Sequence, residues 1–324
     1  MDDINVNYNT KASDLMLTLS FFLTENSLEI LHKKSPYKHF LIAVRQVFLL
    51  ILLPIFIYRY GQGFWWILPA VLQGFVIFSF SVLLHEVIHH NVFAKPRPVF
   101  QYYLGVFYGI ITGMSYSQFR QWHLDHHKYL GTDDLDPKRA NLSPKRNAVW
   151  YKLLYWTPAL FYLYFSGVAK TVKHYPAEVR QKIKKERLLG IALQLGILAL
   201  FFSISPAFAF KAYIIPVFFV FPVAFALNRL GQHYIIDPND IAQWSTLVRS
   251  NLFWDFLFLF SAYHLEHHYY PGVPFYNLPK LQKQLIPFYQ QRKMPMYEYH
   301  QILYIWFVKN HFPHTKPNAS PQKA

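Results

Sequence analysis

Four apolar runs, roughly residues 41–58, 64–84, 188–204 and 212–227, constrain this chain more than any other feature. A helix needs about 20 mostly apolar residues to cross a bilayer core, and each run comes close to that. The first two are joined by Arg59-Tyr-Gly-Gln-Gly63, room only for a tight hairpin. The last two are joined by a segment around Ser203 to Lys211 that includes Pro206. Trp65 and Trp66 fall where interfacial aromatic anchors belong.

Charge orients the runs. Lys33, Lys34, Lys38 and Arg45 precede or open the first, and Lys170, Lys173, Arg180, Lys182, Lys184, Lys185 and Arg187 precede the third. The two hairpin loops offer only Arg59 and Lys211. By the positive-inside rule the N-terminus, the 85–187 region and the C-terminus are cytoplasmic. The first twenty residues do not read as a secretory signal, because Asp2, Asp3 and Asp14 precede only a short mixed stretch. The expected location is a bacterial cytoplasmic membrane, crossed several times.

The net charge of +15 raises nucleic acid as a partner. The basic residues flank apolar runs instead of forming a compact basic domain, so anionic headgroups explain them better and no nucleic-acid partner is expected. Cysteine is absent, which excludes thiolate metal sites and disulfides. Any redox metal must be held by nitrogen and oxygen.

Three histidine clusters lie at the borders of apolar runs: His85-Glu-Val-Ile-His89-His90, His123-Leu-Asp-His126-His127 and His264-Leu-Glu-His267-His268. Residues three and four apart share a helix face. His85 and His89 therefore point one way, as do His123, His126 and His127, and His264, His267 and His268. His233 follows the last membrane run directly and is a further candidate ligand. His90 lies about 100° round the helix from His89 and is expected beside the ligands or at their edge. Glu86, Asp125 and Glu266 sit off the main histidine faces. Their expected role is to accept a hydrogen bond from the outer ring nitrogen of a ligand on a neighbouring motif. Asn228 is a candidate for holding a metal-bound water. His32, His39, His174, His300, His311 and His314 stand alone and are expected at the surface.

One metal centre needs all its ligands on one side of the membrane. Crossings at three further apolar runs, about 99–117, 150–166 and 251–263, would separate the clusters, so these are expected as interfacial or partly inserted helices. The expected fold is an all-α integral membrane protein, with four transmembrane helices and a cytosolic helical cap holding a di-metal site. Residues 1–36 form a cytosolic segment, 37–290 the catalytic domain, and 291–324 a surface helix near Tyr297–Val308 with a disordered tail.

A single zinc takes about four ligands, so nine histidines overfill it. Two irons use the set properly, although ligand type alone does not separate iron from zinc. Iron suits a site beside a long apolar core, because oxygen-activating iron attacks an unactivated C–H bond, which no side chain does. Zinc hydrolysis at the membrane is the rival chemistry.

The three clusters, with the stretch Tyr269-Tyr-Pro-Gly-Val-Pro-Phe-Tyr-Asn-Leu-Pro279, resemble the boxes of the membrane fatty acid desaturase superfamily, over about residues 37–290. That group includes related hydroxylases and ketolases. The resemblance implies a mushroom-shaped fold with a di-iron centre, cycling between Fe2+ and Fe3+, over a bent apolar tunnel for an acyl chain, with O2 as co-substrate. It carries the ligand role to His85, His89, His123, His126, His127, His233, His264, His267 and His268. Some desaturases place an asparagine four residues before the isolated histidine; here Arg229 stands there, with Asn228 one step earlier. No His-Pro-Gly-Gly haem-binding stretch occurs, so electrons are expected from a separate ferredoxin or cytochrome b5-like carrier. The implied activity is desaturation of a membrane lipid, with hydroxylation or ketone formation on a lipid or carotenoid as the alternative.

Overall fold

The computed structural model describes residues 13–130, 135–237 and 239–314. It contains helices and loops, and among the described residues the only extended pairing is one bridge between Val248 and Tyr297. The expected disordered tail after residue 314 lies outside the described residues.

Four helices are long and apolar enough to cross a membrane: Pro36–Tyr60, Ile67–Ile88, Ala177–Ile204 and Pro206–His233. With the short helix Glu25–His32 as α1 and Pro36–Tyr60 as α2, Ile67–Ile88 is α3. Each membrane helix reaches further than its apolar run, because polar ends continue the same helix into the cap. Histidines ride on those extensions: His85 on α3 and His233 on the last helix.

The run near 99–117 becomes α4, Pro98–Thr112, ended by Gly113 in the left-handed region at φ 73°. That conformation is easy only for glycine, and the chain turns there into α5, Tyr116–Lys128. α6 is Pro137–Leu142. The run near 150–166 splits into α7, Val149–Leu154, and α8, Ala159–Val172. Pro158 stands at the break, where it cannot continue α7 but opens α8. At 14 residues α8 extends about 21 Å, short of a bilayer core. The run near 251–263 forms only α11, Leu252–Phe258, before Leu259 and Phe260 take positive φ.

α9 is Ala177–Ile204, and α10 is the continuous helix Pro206–His233. The middle of α10, Phe210–Val220, has the wider π turn. Pro216 has no N–H to give the ordinary ladder, and Phe221 N–H reaches back to the Pro216 carbonyl instead. α3 packs closely here: a Cβ on Gly74 would collide with the Val220 side chain. The far loops meet through Lys211, whose Nζ donates to the Gly61 carbonyl at 2.8 Å.

α12 is His264–Tyr269, α13 is Leu278–Gln291 and α14 is Tyr299–Tyr304, continued by a wide turn to Lys309. This C-terminal helix lies where a surface helix is expected. It nonetheless buries Tyr299, Ile302 and Trp306 in the same core as the histidine-bearing helices. Buried Lys152 on α7 fastens the end of this helix and the chain beyond it, donating to Trp306 O (3.3 Å), Asn310 Oδ1 (2.5 Å) and Phe312 O (2.9 Å). Glu186 of α9 ties the cap to the membrane part: it accepts from the Ser115 and Ser117 hydroxyls (both 2.6 Å) and from Ser117 N–H (2.9 Å).

Candidate metal centre

Nine histidines converge from α3, α5, α10 and α12, in two groups. His85, His89, His123, His127 and His267 form one; His126, His233, His264 and His268 form the other. Within each group, one ring nitrogen per residue lies within 4.8 Å of all the others. Helical spacing explains the split. His123 and His127, one turn apart on α5, serve the first group, while His126 faces the second. On α12, His264 and His268 share the second group, and His267 turns to the first.

The nitrogens face one another in a way protons alone do not satisfy. His123 Nε2 lies 2.7 Å from His89 Nε2 and 3.0 Å from His127 Nε2. His233 Nε2 lies 3.1 Å from that of His126, 3.0 Å from that of His264 and 3.4 Å from that of His268. His85 Nε2 is buried with no hydrogen-bond partner. One shared proton satisfies a facing pair, not three imidazoles around one nitrogen. A cation that takes every lone pair at once does satisfy them, so this donor set fits a metal in each group. Burial is also the main reason that His123, His126, His127, His264, His267 and His268 sit well below the ordinary histidine pKa. They are therefore neutral donors at ordinary pH.

The outer ring nitrogens are held by residues that the sequence does not single out. His126 Nδ1 donates to Asp136 Oδ2 at 2.8 Å, and the same carboxylate caps α6 through Lys138 N–H. His233 Nδ1 donates to the Trp244 carbonyl at 3.2 Å. His123 Nδ1 lies 2.8 Å from Lys138 Nζ. If His123 Nε2 faces a metal, its proton sits on Nδ1, and Lys138 must accept it as a neutral amine. Burial, and then neighbouring Arg229, pushes Lys138 in that direction, below the usual lysine value. Arg229 also donates to Lys138 O at 2.9 Å and Ser143 Oγ at 3.2 Å. That is what the arginine before His233 does here: it holds α6, which carries Lys138 and is capped by Asp136.

The three cluster acids are placed differently from expectation. Glu86 Oε2 accepts from Phe275 N–H at 3.0 Å, and its Oε1 stands 3.7 Å from Nδ1 of His85, in its own motif. Glu266 Oε1 accepts from Tyr289 OH at 2.6 Å and Gln282 Nε2 at 2.9 Å. Asp125 accepts from Gln121 at 3.3 Å. None of the three reaches a histidine of another motif among the described residues. Being one residue from a ligand on a helix turns a side chain about 100° away from the centre, towards the surrounding packing. Asp136, ten residues beyond His126 in a loop, has the geometry they lack.

His90 stands outside both groups, at φ 56°, with Nδ1 3.1 Å from Gln101 Oε1. Asn228 lines a cavity of about 80 Å3 beside the metal groups; its amide donates to Ser261 Oγ and accepts from Gln232 at 2.9 Å. His85, His264 and His267 open onto the same cavity, with Phe78, Val82 and Phe275 as its apolar wall. His174, His300 and His311 are exposed as expected. His39 and His314 are buried instead, His39 with its Nε2 3.1 Å from Tyr108 OH.

The fatty acid desaturase family model matches residues 63–300, almost three quarters of the chain. A human sphingolipid delta(4)-desaturase/C4-monooxygenase is 26% identical over 239 residues, covering 69% of this chain and 67% of the relative. Its counterpart in Bos taurus is 25% identical over 224 residues, 65% of this chain and 62% of the relative. A sphingolipid delta(4)-desaturase from Xenopus tropicalis is 24% identical over 221 residues, again 65% and 62%. The chain thus spans under two thirds of the latter two.

Proposed function

The chain belongs to the fatty acid desaturase family of oxidoreductases, and from that premise we propose that it is an O2-dependent, di-iron desaturase of a membrane lipid. The observation that carries this reading is the pair of histidine groups opening, through His85, His264 and His267, onto a mainly apolar cavity between the histidine-bearing ends of α3 and α10. His85, His89, His123, His127 and His267 would hold one iron; His126, His233, His264 and His268 the other. Bound there, the irons would supply the oxygen-activating chemistry that removes hydrogen from an unactivated methylene.

The protein's own part is holding and positioning. Asp136, the Trp244 carbonyl and Lys138 fix the outer nitrogens of His126, His233 and His123, setting ring orientation and keeping the inner nitrogens free. Phe78, Val82 and Phe275 hold two neighbouring methylenes near His85 and His264 and keep water away. In the balanced reaction, two substrate hydrogens, one O2, two external electrons and two protons give a double bond and two waters. The electrons come from a separate carrier of ferredoxin or cytochrome b5 type. Residues 37–290 serve as the catalytic domain, with both termini and the histidines on the cytoplasmic side. The relatives named above are animal proteins, which lends no support to a bacterial source.

Hydroxylation is the second reading. It uses the same hydrogen removal and returns oxygen to the carbon, and the human and Bos taurus relatives carry both activities in their names. Purified protein loaded with iron and given lipid, reductant and O2 tests both. A product lacking two hydrogens supports desaturation, and one gaining an oxygen supports the monooxygenase. Protein that binds zinc and turns over without O2 overturns the iron reading.

A further inference from the structure

The histidine cavity has one polar corner. Phe225, Asn228 and Gln232 line it from one face of α10, three and four residues apart. Its wall thus changes from apolar to polar as the helix approaches His233. Ser261, three residues before His264, lines the cavity from the segment between α11 and α12. Gln232 and Ser261 are both half-buried.

Hydrogen bonding in this corner is incomplete in a definite way. Asn228 Nδ2 donates to Ser261 Oγ, and Asn228 Oδ1 accepts from Gln232 Nε2 at 2.9 Å. Both ends of the Asn228 amide are therefore engaged within the protein. The Ser261 hydroxyl proton and Gln232 Oε1 are left without a partner among the described residues. Turning both amides over exchanges the roles, so that Gln232 donates and Ser261 accepts. Either way the corner offers one donor and one acceptor.

One atom completes such a pair: a hydroxyl oxygen, which accepts one hydrogen bond and donates another. An ester or thioester carbonyl only accepts. A trans secondary amide points its N–H and C=O in opposite directions, so it cannot serve two neighbours bound to the same asparagine. Bare methylene would strip both groups of water and give nothing back. Phe78, Val82 and Phe275 line the same cavity, whose volume is only about 80 Å3, and His85, His264 and His267 open onto it. A hydroxyl in the corner and a methylene beside the histidines therefore belong to one short stretch of a single molecule.

We propose that Ser261 and Gln232, braced by Asn228, form a hydroxyl-recognition site, and that the lipid oxidised here carries a hydroxyl a few carbons from its reacting methylenes. That those methylenes react rests on the function proposed above; the hydroxyl site does not. The position of oxidation is then counted from the hydroxyl, not from the far end of the chain.

The binding test needs no metal. The full chain, metal-free in lipid nanodiscs, is titrated with the radiolabelled methyl esters of β-hydroxyhexadecanoic acid and of hexadecanoic acid, with empty nanodiscs as the blank. The wild type should bind the hydroxy ester about tenfold more tightly. Ser261→Ala and Gln232→Leu should each bring the two affinities to within about twofold, whereas Ser261→Thr, which keeps a hydroxyl, should retain the preference. Should a variant fail to fold, the wild type still decides. Equal affinities for the two esters overturn the site and leave only water in the corner. A preference that survives both Ser261→Ala and Gln232→Leu overturns it as well. With iron, reductant and O2, the oxidised carbons should lie a few positions from the hydroxyl. A binding preference without any product defeats the proposed function alone; product formed equally from both esters, with no binding preference, defeats the hydroxyl site alone.

Discussion

Asp136 Oδ2 accepts the Nδ1 proton of His126 at 2.8 Å, across ten residues of sequence, and both side chains are buried. The carboxylate thereby fixes which nitrogen of His126 is free to face the second histidine group. Asp136→Asn keeps the helix cap but weakens that acceptor. It should lower metal affinity in the second group by about 10- to 100-fold with the helix content unchanged. Metal titration alongside circular dichroism checks this; full affinity in the asparagine variant refutes the assignment.

His127→Ala and His268→Ala each remove a nitrogen from a different group. Each should lower bound iron by about one ion per chain and abolish turnover. His90→Gln should leave metal content intact, because His90 stands outside both groups beside Gln101. Elemental analysis of the three purified variants decides the matter, and iron lost from the His90 variant would count against the two-group division.

Lys138 distinguishes accepting from donating. A neutral amine 2.8 Å from His123 Nδ1 accepts its proton, a role glutamine reproduces and arginine does not. Lys138→Gln should keep metal in the first group, and Lys138→Arg should lose it. The reverse order in a metal-binding assay would show that the lysine acts as a cation.

Lys152 gives a pH signature remote from the metals. Burial lowers its pKa to about 8 from the ordinary 10.5. The folded state then binds fewer protons than the unfolded one between those values, so stability rises as pH climbs from about 8 to about 10.5. The gain is at most roughly 3 kcal/mol, and Lys152→Met should abolish it. Thermal unfolding of both proteins across that range provides the measurement, and parallel curves would rule the lysine out as the source.

The membrane helices are legible in the sequence because hydropathy over about twenty residues is a strong signal, and the ligand faces because a three-and-four spacing leaves little freedom. The rest is set by tertiary contact. Asp136 and Lys138 lie in a polar stretch where nothing local distinguishes them from Asp133 or Lys145. Only the tertiary placement of α6, held by Arg229, brings them to His126 and His123. Glu86 and Glu266 attract attention by neighbouring the ligands, but adjacency in a helix directs a side chain elsewhere. His39 and His314 look solvated because charged or polar residues stand beside them in sequence, while their ring partners from distant elements include Tyr108, Phe275, Tyr234 and Trp306. The break at Pro158 is visible in the sequence but outweighed there by the apolar run around it.

The wide turn at Pro216 also sets an angle. Each residue of an α-helix advances the chain by about 100°. Everything downstream in α10, His233 included, is therefore phased by how many residues the turn between Phe210 and Val220 consumes. Deleting one apolar residue there leaves hydropathy and length almost unchanged, yet rotates His233 away from His126, His264 and His268. A stretch that looks like interchangeable membrane filler is an indexing mechanism, tolerant of substitution and intolerant of a change in count.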